Sequence, residues 1–581
     1  MLWANPDASW APLRERVTRP LDRDRLKEPE KMSSPRTQAD RRRDLRPEGC
    51  TDPALLEALT APAMYGERRL QVEVYETHAS WVFLAGEHAY KVKKPVALGF
   101  LNYSTLSRRH AACREEVRVN QELAPGIYLG VRAIIRAGGG FRFGADGTPG
   151  AVEYAVQMRR FDDADTLEGV IAAGALSHAH LRAVARRLLD FHRRTPVVTG
   201  GSPDEVLDTW NANVDELERL EHPAHWHMDI VRGFGEAFVN AHAKEIERRA
   251  RDGHVRDGHG DLRCEHVLLG RTVRVLDRIE FDPALRHMDV ACDLAFLTMD
   301  LDAHRQRWAA RELLSAYRHA GGSPGSETLR CFYAAHWALV RAKVALIAAT
   351  ARDGSAHEGQ VARAERLWSL AERLCWQARR PLVLVVCGPA ASGKSTLAAE
   401  LARRSQLPVV SSDAVRKRLA HLGHFEPARA EHYSARFTHA TYEQLGRDAL
   451  LALRRDDGVI VDATCRSRGD RALLLGRLRG AGMTHLIVRC EVTLELALER
   501  AARRLHDPRR LSDATPQIAE EQFRGFEELD ELSDGSVLRV DAAQALDAQV
   551  AEIAGAVDRC LLHADLPESR ELPASALAQS T

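Results

Sequence analysis

The segment Gly388–Thr396, with the sequence GPAASGKST, is where residue types and spacing point most directly to a chemistry. It follows the apolar run LVLVVC, which predicts a buried parallel strand, and precedes TLAAELARR, which has the apolar period of a helix. A strand, a Gly-x-x-x-x-Gly-Lys-Ser loop and a helix in this order are typical of a phosphate-binding loop, or P-loop. The two glycines let successive backbone N–H groups point at phosphate oxygens, and the helix adds its positive N-terminal end. The loop therefore predicts a nucleoside triphosphate site.

The residues of this loop have separate predicted contacts. The Lys394 ammonium would reach the β- and γ-phosphates, and the Ser395 hydroxyl would bind Mg²⁺. ATP and Mg²⁺ are therefore the predicted cofactors. The predicted nucleotide-binding residues are Gly388, Pro389, Ala390, Ala391, Ser392, Gly393, Lys394, Ser395 and Thr396.

Two aspartates follow the next predicted strands, 408–411 and 458–462. The carboxyl ends of parallel strands meet at one sheet edge, where α/β folds bind ligands. Asp462 lies next to the P-loop strand if the strand order is that of small-molecule kinases, and there it is predicted to hold Mg²⁺ through water. Asp413 is predicted to orient or deprotonate an acceptor hydroxyl. An aspartate at a strand end can instead be only a helix cap. Arg416 argues against that alternative, because it lies one helical turn on and can clamp an anionic acceptor or the γ-phosphate.

Segment 494–515 is rich in arginine and predicts a lid over the phosphates. Arg500 and Arg504 are four residues apart and share a helix face, so they are the predicted catalytic arginines, with Arg503 beside them. A solvated, charged helix face is the alternative. Arg509 and Arg510 also belong to this segment.

These motifs resemble the P-loop kinase family that includes polynucleotide 5′-kinase, gluconate kinase and zeta-type toxins. The D-x-x-R that follows the second strand in that family matches Asp413 to Arg416. The resemblance covers about 380–562 and implies nucleotide-dependent phosphoryl transfer without specifying the acceptor. Further strands at 484–490 and 536–541, with helices between them, predict a doubly wound parallel sheet.

A second group of candidate residues begins near residue 72 with a predicted strand and hairpin. Lys91 and Lys93 lie two apart on a strand and therefore share a face. The helix predicted next, 105–123, carries Glu115 and Glu116. A strand lysine paired with a helix glutamate holds the α- and β-phosphates in kinase-like folds. A lysine that merely faces solvent is the alternative, so the pairing of Lys91 or Lys93 with Glu116 is a hypothesis.

About a hundred residues later, the tight turn His259-Gly260-Asp261 precedes a hairpin that ends in another acid, Asp277. Asp261 is predicted to orient, or take a proton from, an attacking hydroxyl, and Asp277 to bind the Mg²⁺ that bridges the phosphates. Glu280 and Asp282 are close enough in sequence to compete with Asp277.

This second pattern resembles the aminoglycoside phosphotransferase branch of the protein-kinase-like fold, whose catalytic loop is H-G-D-x-x-x-x-N. MDVACDLAFLTMDL, with Asp289 and Asp293, resembles the D-x-x-D-L-A helix of that family. The resemblance spans about 65–375 and implies a second ATP–Mg²⁺ site. The family's asparagine is replaced by His266, a softer ligand that Mg²⁺ disfavours, and a glycine-rich loop is missing. His266 remains a candidate metal ligand, and a pseudokinase or regulatory ATP-binding lobe is the alternative to a working phosphotransferase.

Residues 300–380 have helical period throughout. Arg341 and Lys343 interrupt an otherwise apolar helix. We expect these two side chains to extend from a buried helix to water, with a substrate cleft as the alternative.

Composition limits the remaining possibilities. The 581 residues contain 82 Lys and Arg and 82 Asp and Glu, so no net charge draws the chain to nucleic acid or to a membrane. The ten cysteines form no C-x-x-C pair and several lie in apolar segments, which indicates reduced thiols of a cytoplasmic protein. We expect no apolar run to approach the roughly 18–20 residues of a membrane span. We therefore predict a soluble protein without constitutive nucleic-acid binding.

The sequence predicts a multi-domain α/β chain, in which a two-lobed, protein-kinase-like α+β domain precedes a P-loop domain with a doubly wound parallel sheet. The predicted function is ATP-dependent phosphoryl transfer to a hydroxyl of a small molecule or a nucleic-acid end. The alternative is a P-loop ATPase regulated by an N-terminal nucleotide-sensing module. Met32 is a second candidate start of the chain. The predicted segments are a charged disordered tail (1–50), the kinase-like domain (51–378, with lobes 51–155 and 156–378), the P-loop domain (379–562) and a C-terminal tail (563–581).

Overall fold

The chain divides into two compact units in the computed structural model. The first unit comprises residues 1–198 and 255–324, and the second comprises 199–254 and 325–581. The predicted tails lie outside the described residues. The structure describes residues 52–67, 69–77, 79–98, 101–223, 225–350, 354–423, 426–478, 484–504, 515–532 and 536–562.

Helices and strands come in runs of one type before residue 382 and alternate more regularly after it. The strands are β1 Val72–Glu76, β2 Ser80–Ala85, β3 His88–Lys93, β4 Ala97–Leu98, β5 Leu101–Asn102, β6 Tyr128–Ala137, β7 Gly140–Ala145, β8 Ala151–Arg159, β9 Val255–Asp257, β10 Val267–Leu268, β11 Arg274–Val275, β12 His287–Asp289, β13 Leu382–Cys387, β14 Val409–Ser411, β15 Gly458–Asp462, β16 Thr484–Glu491 and β17 Val537–Asp541. The helices are α1 Pro53–Thr60, α2 Leu106–Asn120, α3 Leu167–Ala172, α4 His178–Arg194, α5 Pro203–Glu218, α6 Met228–Arg251, α7 Val290–Ala303, α8 Arg307–His319, α9 Glu327–Thr350, α10 Gly354–Ala378, α11 Lys394–Ser405, α12 Ser412–Leu419, α13 Ala435–Asp456, α14 Arg468–Leu478, α15 Leu494–Arg504, α16 Pro516–Arg524 and α17 Leu546–Leu562.

The first unit contains a six-stranded antiparallel sheet in the order β1-β2-β3-β8-β6-β7. Helix α2 packs against β8 and β6, so its side chains reach the lysine-bearing strand β3 from one face of the sheet. Helices α4, α7 and α8 form a second apolar core together with Leu262, Cys264 and Val267 of the predicted catalytic loop. The antiparallel sheet and the helical layer confirm the predicted α+β class of this part of the chain.

The second unit contains a five-stranded sheet in the order β14-β15-β13-β16-β17, with all neighbours parallel. Helices α11 and α17 cover one face and α13 and α14 cover the other, which leaves every residue of β13 buried. Strands that are covered on both faces have continuous apolar sequence, as in the run LVLVVC. The predicted doubly wound sheet is confirmed.

Helices from the region assigned to the first domain belong to the second compact unit. Helix α6 packs against α17, and α10 packs against α9 and α11. At the end of α10, the buried Arg379 guanidinium donates from Nε to Asp558 Oδ1 at 2.7 Å. The predicted boundary near residue 378 rests on a family resemblance and stays a prediction.

Helix α9 corrects two sequence-based expectations. By length and composition alone, α9 could cross a membrane, since an 18-residue stretch of it has a mean hydropathy of 1.3. In the structure, 89% of that stretch is buried. Soluble core helices pass the same test, but the expectation that no segment approaches a membrane span is wrong. Lys343 does not reach water, because its ammonium pairs with Glu216 at 2.7 Å and its side chain is 3% exposed. Burial lowers the pKa of Lys343 to about 8.

Candidate functional site

The P-loop lies between β13 and α11, as its sequence predicts. Gly388 and Gly393 have φ angles of +146° and +98°, a region that residues with a Cβ rarely adopt. A Cβ on Gly388 would lie 2.8 Å from Ser392 Oγ and 3.0 Å from the carbonyl oxygen of Cys490. The loop therefore requires glycine at this position for close packing as well as for its backbone path.

The cradle has the groups that a polyphosphate needs. Lys394 opens α11, and the next residue, Ser395, is exposed. The Ser392 hydroxyl is fully buried and has no hydrogen-bond partner among the described residues. An unsatisfied buried hydroxyl is costly without a partner, and a bound phosphate oxygen can supply one. The residues thus fit a nucleotide.

Asp462 and Asp413 lie at the carboxyl edge of the parallel sheet. Asp462 ends β15, in register with Val386 of β13 and Ser411 of β14. This strand order confirms its predicted position beside the P-loop strand. Asp413 is the second residue of α12, whose cap position is Ser411, so Asp413 lies in the first turn and not at the cap. The predicted roles of both acids stay predictions.

Arg416 is held by the segment that leads into α13. Its Nη1 donates to the carbonyl oxygen of His432 at 2.8 Å, and its guanidinium lies 4.6 Å from the centre of the Tyr433 ring. The side chain is buried, and its Nε has no hydrogen-bond partner among the described residues. Arg416 is therefore a fixed cation with a spare donor.

The predicted lid arginines differ in position. Arg500 donates to the carbonyl oxygen of Ala542 at 2.9 Å and to that of Ser392, in the P-loop, at 3.4 Å. Arg503 is 74% exposed and pairs with Glu499, so it faces solvent. The Arg504 side chain and residues 505–514, with Arg509 and Arg510, lie outside the described residues. Of the predicted lid arginines whose side chains the structure describes, Arg500 contacts the P-loop.

In the first unit, the predicted His-Gly-Asp turn is fixed by buried groups. Asp293 accepts the backbone N–H groups of His259 and Gly260 at 2.8 and 3.1 Å. His259 Nδ1 accepts the N–H of Asp261, so its Nε2 carries the proton and donates to the carbonyl oxygen of Leu276 at 2.8 Å. Burial lowers the pKa of His259 to about 4, so the ring is neutral at physiological pH. The turn is a rigid platform for Asp261.

Sequence reasoning missed Arg263, whose guanidinium forms a two-pronged ion pair with the Asp261 carboxylate. Its Nε and Nη2 donate to Asp261 Oδ1 and Oδ2 at 2.8 and 3.1 Å. Nη2 also lies 3.1 Å from His266 Nε2, which must accept because a guanidinium only donates. His266 Nδ1 then donates to the carbonyl oxygen of Asp261 at 2.7 Å. Both ring nitrogens contact protein atoms, so the role of His266 as a metal ligand stays a prediction that would require Arg263 to move.

The predicted lysine and glutamate pair is formed, and both lysines take part. Lys91 lies 2.9 Å from Glu116 Oε1 and 3.2 Å from Asp277 Oδ1. Lys93 lies 2.5 Å from Glu116 Oε2 and also pairs with Glu280. Burial alone would raise the pKa of Asp277, but the charge of Lys91 holds that pKa well below its usual range. Two ammonium groups and three carboxylates therefore form one cluster.

The competing metal acids can be separated by geometry. Asp277 has a φ of +55°, rare for a residue with a Cβ, and its backbone N–H donates to the Tyr128 hydroxyl at 3.1 Å. Glu280 accepts from the Tyr103 hydroxyl at 3.0 Å. Asp282 instead caps a short helix by accepting the N–H of Ala284 at 2.9 Å. Asp277 and Glu280 remain the candidates at the lysine cluster.

Parts of the chain are similar to a known domain family and to solved structures. Residues 383–529 match the AAA domain family AAA_33. Among solved structures, the chain is similar to a gluconokinase from Sinorhizobium meliloti 1021, with 20% identity, coverage of 32% of this chain and 96% of that one, and a TM-score of 0.24. It is also similar to a choline/ethanolamine kinase family protein from Mesorhizobium loti, with 17% identity, coverage of 55% and 97%, and a TM-score of 0.33.

The second unit therefore contains a nucleotide-binding P-loop domain, as the loop geometry and the family match of residues 383–529 indicate. The chain belongs to the family of uncharacterized protein Rv2004c of Mycobacterium tuberculosis, to which it is 32% identical over 465 residues, covering 77% of this chain and 89% of that protein. An uncharacterized protein of Mycobacterium bovis matches with the same identity and coverage.

Proposed function

We propose that the second unit is a kinase that transfers the γ-phosphate of ATP to a hydroxyl group of an acceptor. The observation that carries the proposal is the arrangement of Asp413 and Asp462 at neighbouring strand ends, beside a P-loop with an unsatisfied buried hydroxyl. A P-loop alone supports nucleotide binding. An acid in the first turn of α12, followed by the buried Arg416, adds an acceptor side to the site.

The residues of the site can account for each bond and proton in the proposed phosphoryl transfer. The acceptor oxygen forms a bond to the γ-phosphorus while the bond to the β–γ bridging oxygen breaks, and ADP leaves. The hydroxyl proton passes to the Asp413 carboxylate. Lys394 and the P-loop N–H groups offset the charge on the phosphates, and Arg416 binds an anionic part of the acceptor.

Mg²⁺ fits the oxygen ligands of this site. When bound, it would offset charge on the β- and γ-phosphates. Ser395 and Asp462 are the residues that would hold it, since Mg²⁺ prefers hydroxyl and carboxylate oxygens and keeps several waters. Among the described residues there is no group of three or more His, Cys, Asp or Glu that could hold a metal. The proposed ion therefore depends on the phosphates for part of its coordination.

Asp413→Ala tests the acceptor role. We expect acceptor phosphorylation to fall by about 10²- to 10⁴-fold, the usual contribution of a general base, while ATP still binds. Product formation from labelled ATP and a panel of hydroxyl metabolites and nucleic-acid ends would measure it. The exposed Asp208 gives a control, Asp208→Ala, with wild-type activity expected. Unchanged ATP turnover in Asp413→Ala, independent of any acceptor, would favour a plain ATPase.

A second ATP site in the first unit is favoured by the pairing of Lys91 and Lys93 with Glu116 beside Asp277. The ion pair between Arg263 and Asp261 favours a regulatory site, because Asp261 is the predicted base and its carboxylate is already paired. We expect the Lys394→Ala variant to bind one equivalent of ATP in calorimetry, and the added change Asp277→Asn to remove that binding. Adding Asp282→Asn, which alters only a helix cap, serves as the control. Absence of ATP binding to Lys394→Ala would contradict the second site.

The proposed reaction takes place in the cytoplasm, with a soluble acceptor. Nine cysteines of the described chain are free thiols, and most are buried. Free thiols support a reducing compartment.

A further inference from the structure

Gln522 of α16 makes a contact with the P-loop that no motif predicts. Its Oε1 accepts the backbone N–H of Ala390 at 2.9 Å. The two residues are 132 positions apart in the sequence. Among the described residues, the amide NH₂ of Gln522 has no hydrogen-bond partner. One end of the carboxamide is therefore fixed and the other end is an unused donor.

The side of the loop on which this contact lies is set by P-loop geometry. Backbone N–H groups of a P-loop point into the cradle that receives phosphate oxygens. An acceptor bound to the Ala390 N–H is consequently on the phosphate side of the loop. Ala390 also lies four residues before Lys394, the lysine that serves the β- and γ-phosphates in a P-loop. The Gln522 side chain thus contacts the phosphate side of the loop.

The helix that carries Gln522 is anchored to the loop by a small apolar cluster. Ala390 and Ala391 of the loop pack with Ala501 of α15 and Ala519 of α16, and all four are at most 4% exposed. Arg500 adds its hydrogen bond to the carbonyl oxygen of Ser392. Side chains as small as alanine bring the helices close to the loop backbone. This packing holds Gln522 in place and makes its position reproducible.

We propose that Gln522 is a catalytic residue whose amide NH₂ donates a hydrogen bond to a γ-phosphate oxygen during transfer. The inference rests on the proposed kinase function. Charge is spread over the γ-phosphoryl oxygens in the transition state, so a donor that is already fixed stabilises it without reorganisation. A neutral amide does this without competing with Lys394 for its position.

Two substitutions separate this role from a merely structural one. Gln522→Ala removes both the acceptor and the donor. Gln522→Glu keeps an oxygen for the Ala390 N–H, loses the donor and adds a negative charge beside the phosphate. Gln517→Ala, at an exposed position of the same helix, is the matched control. The kcat, the KM of ATP and the calorimetric affinities for ATP and ADP are measured with the full-length protein.

We expect kcat to fall by about 10²-fold in Gln522→Ala and at least as far in Gln522→Glu. ADP lacks the γ-phosphate, so its affinity for Gln522→Ala should stay within about twofold of the wild-type value. Gln517→Ala should match the wild type. Thermal melting of each variant shows whether it is folded. If Gln522→Ala does not fold, the kcat of Gln522→Glu tests the catalytic role.

Three results would overturn the proposal. The first is a kcat for Gln522→Ala equal to that of Gln517→Ala. The second is an equal loss of ATP and ADP affinity in Gln522→Ala, and the third is wild-type activity in Gln522→Glu. Both results would indicate a structural contact with the loop. A wild-type protein that binds ATP but phosphorylates no acceptor instead counts against the proposed kinase function. The two failures are thereby distinguishable.

Discussion

Replacing Lys394 by alanine is expected to lower ATP turnover by about 10²- to 10³-fold, the usual effect of removing one preorganised donor to a developing negative charge. Lys394 is the first residue of α11 and follows Gly393, whose φ of +98° turns the loop toward the helix. No other lysine occupies the P-loop sequence. Steady-state turnover of ATP by the full-length protein measures the effect.

The control for this substitution is Lys244→Ala, which removes an exposed lysine from α6 of the same unit. It should leave turnover at the wild-type level. Both variants should melt as the wild type does, because Lys394 is not part of an apolar core. Turnover that survives in Lys394→Ala would place the chemistry outside the P-loop.

Replacing Glu116 by alanine is expected to destabilise the first unit by about 1–3 kcal/mol, because two buried ammonium groups lose the carboxylate that they share and keep one partner each. Glu116 is 1% exposed and bonds both Lys91 and Lys93, of which Lys93 is 2% exposed. Asp277 and Glu280 then remain as the partners of the two lysines. Urea unfolding, monitored by circular dichroism, measures the change in the free energy of unfolding.

The preceding residue, Glu115, gives a control with the same chemistry. Its carboxylate is 30% exposed and pairs with Arg118 on the helix surface at 2.6 Å. Exposed pairs contribute about 0–1 kcal/mol, so Glu115→Ala should be nearly neutral. Equal unfolding free energies for the two variants would show that the lysine cluster is not the buried network described above.

The P-loop half of the molecule could be predicted from the sequence because its signals are local. The strand residues 382–387 and 458–462 were predicted with the bounds that the structure has. A parallel strand must be apolar along its whole length, and the glycines that follow it are required by the turn. The neighbouring position of Asp462 followed from the expected strand order, which the structure confirms.

Contacts between distant segments could not be predicted in this way. Gln522 and Ala390 are far apart in the chain, and a lone glutamine in a helix has no distinguishing pattern. Arg263 is two residues from Asp261, but only the turn around His259 directs its guanidinium back onto that carboxylate. The packing of α6 against α17 in one compact unit also has no local signal. Such contacts depend on the tertiary fold.

The most direct test of the central claim is to follow the γ-phosphate itself. The wild-type protein is incubated with ATP labelled on the γ-phosphate, Mg²⁺ and hydroxyl-bearing acceptors, and the label is traced by chromatography. We predict label on an acceptor with the wild type and at least about 100-fold less with Lys394→Ala or Asp413→Ala. Label released only as inorganic phosphate, at a rate that no acceptor changes, would contradict the kinase and identify an ATPase.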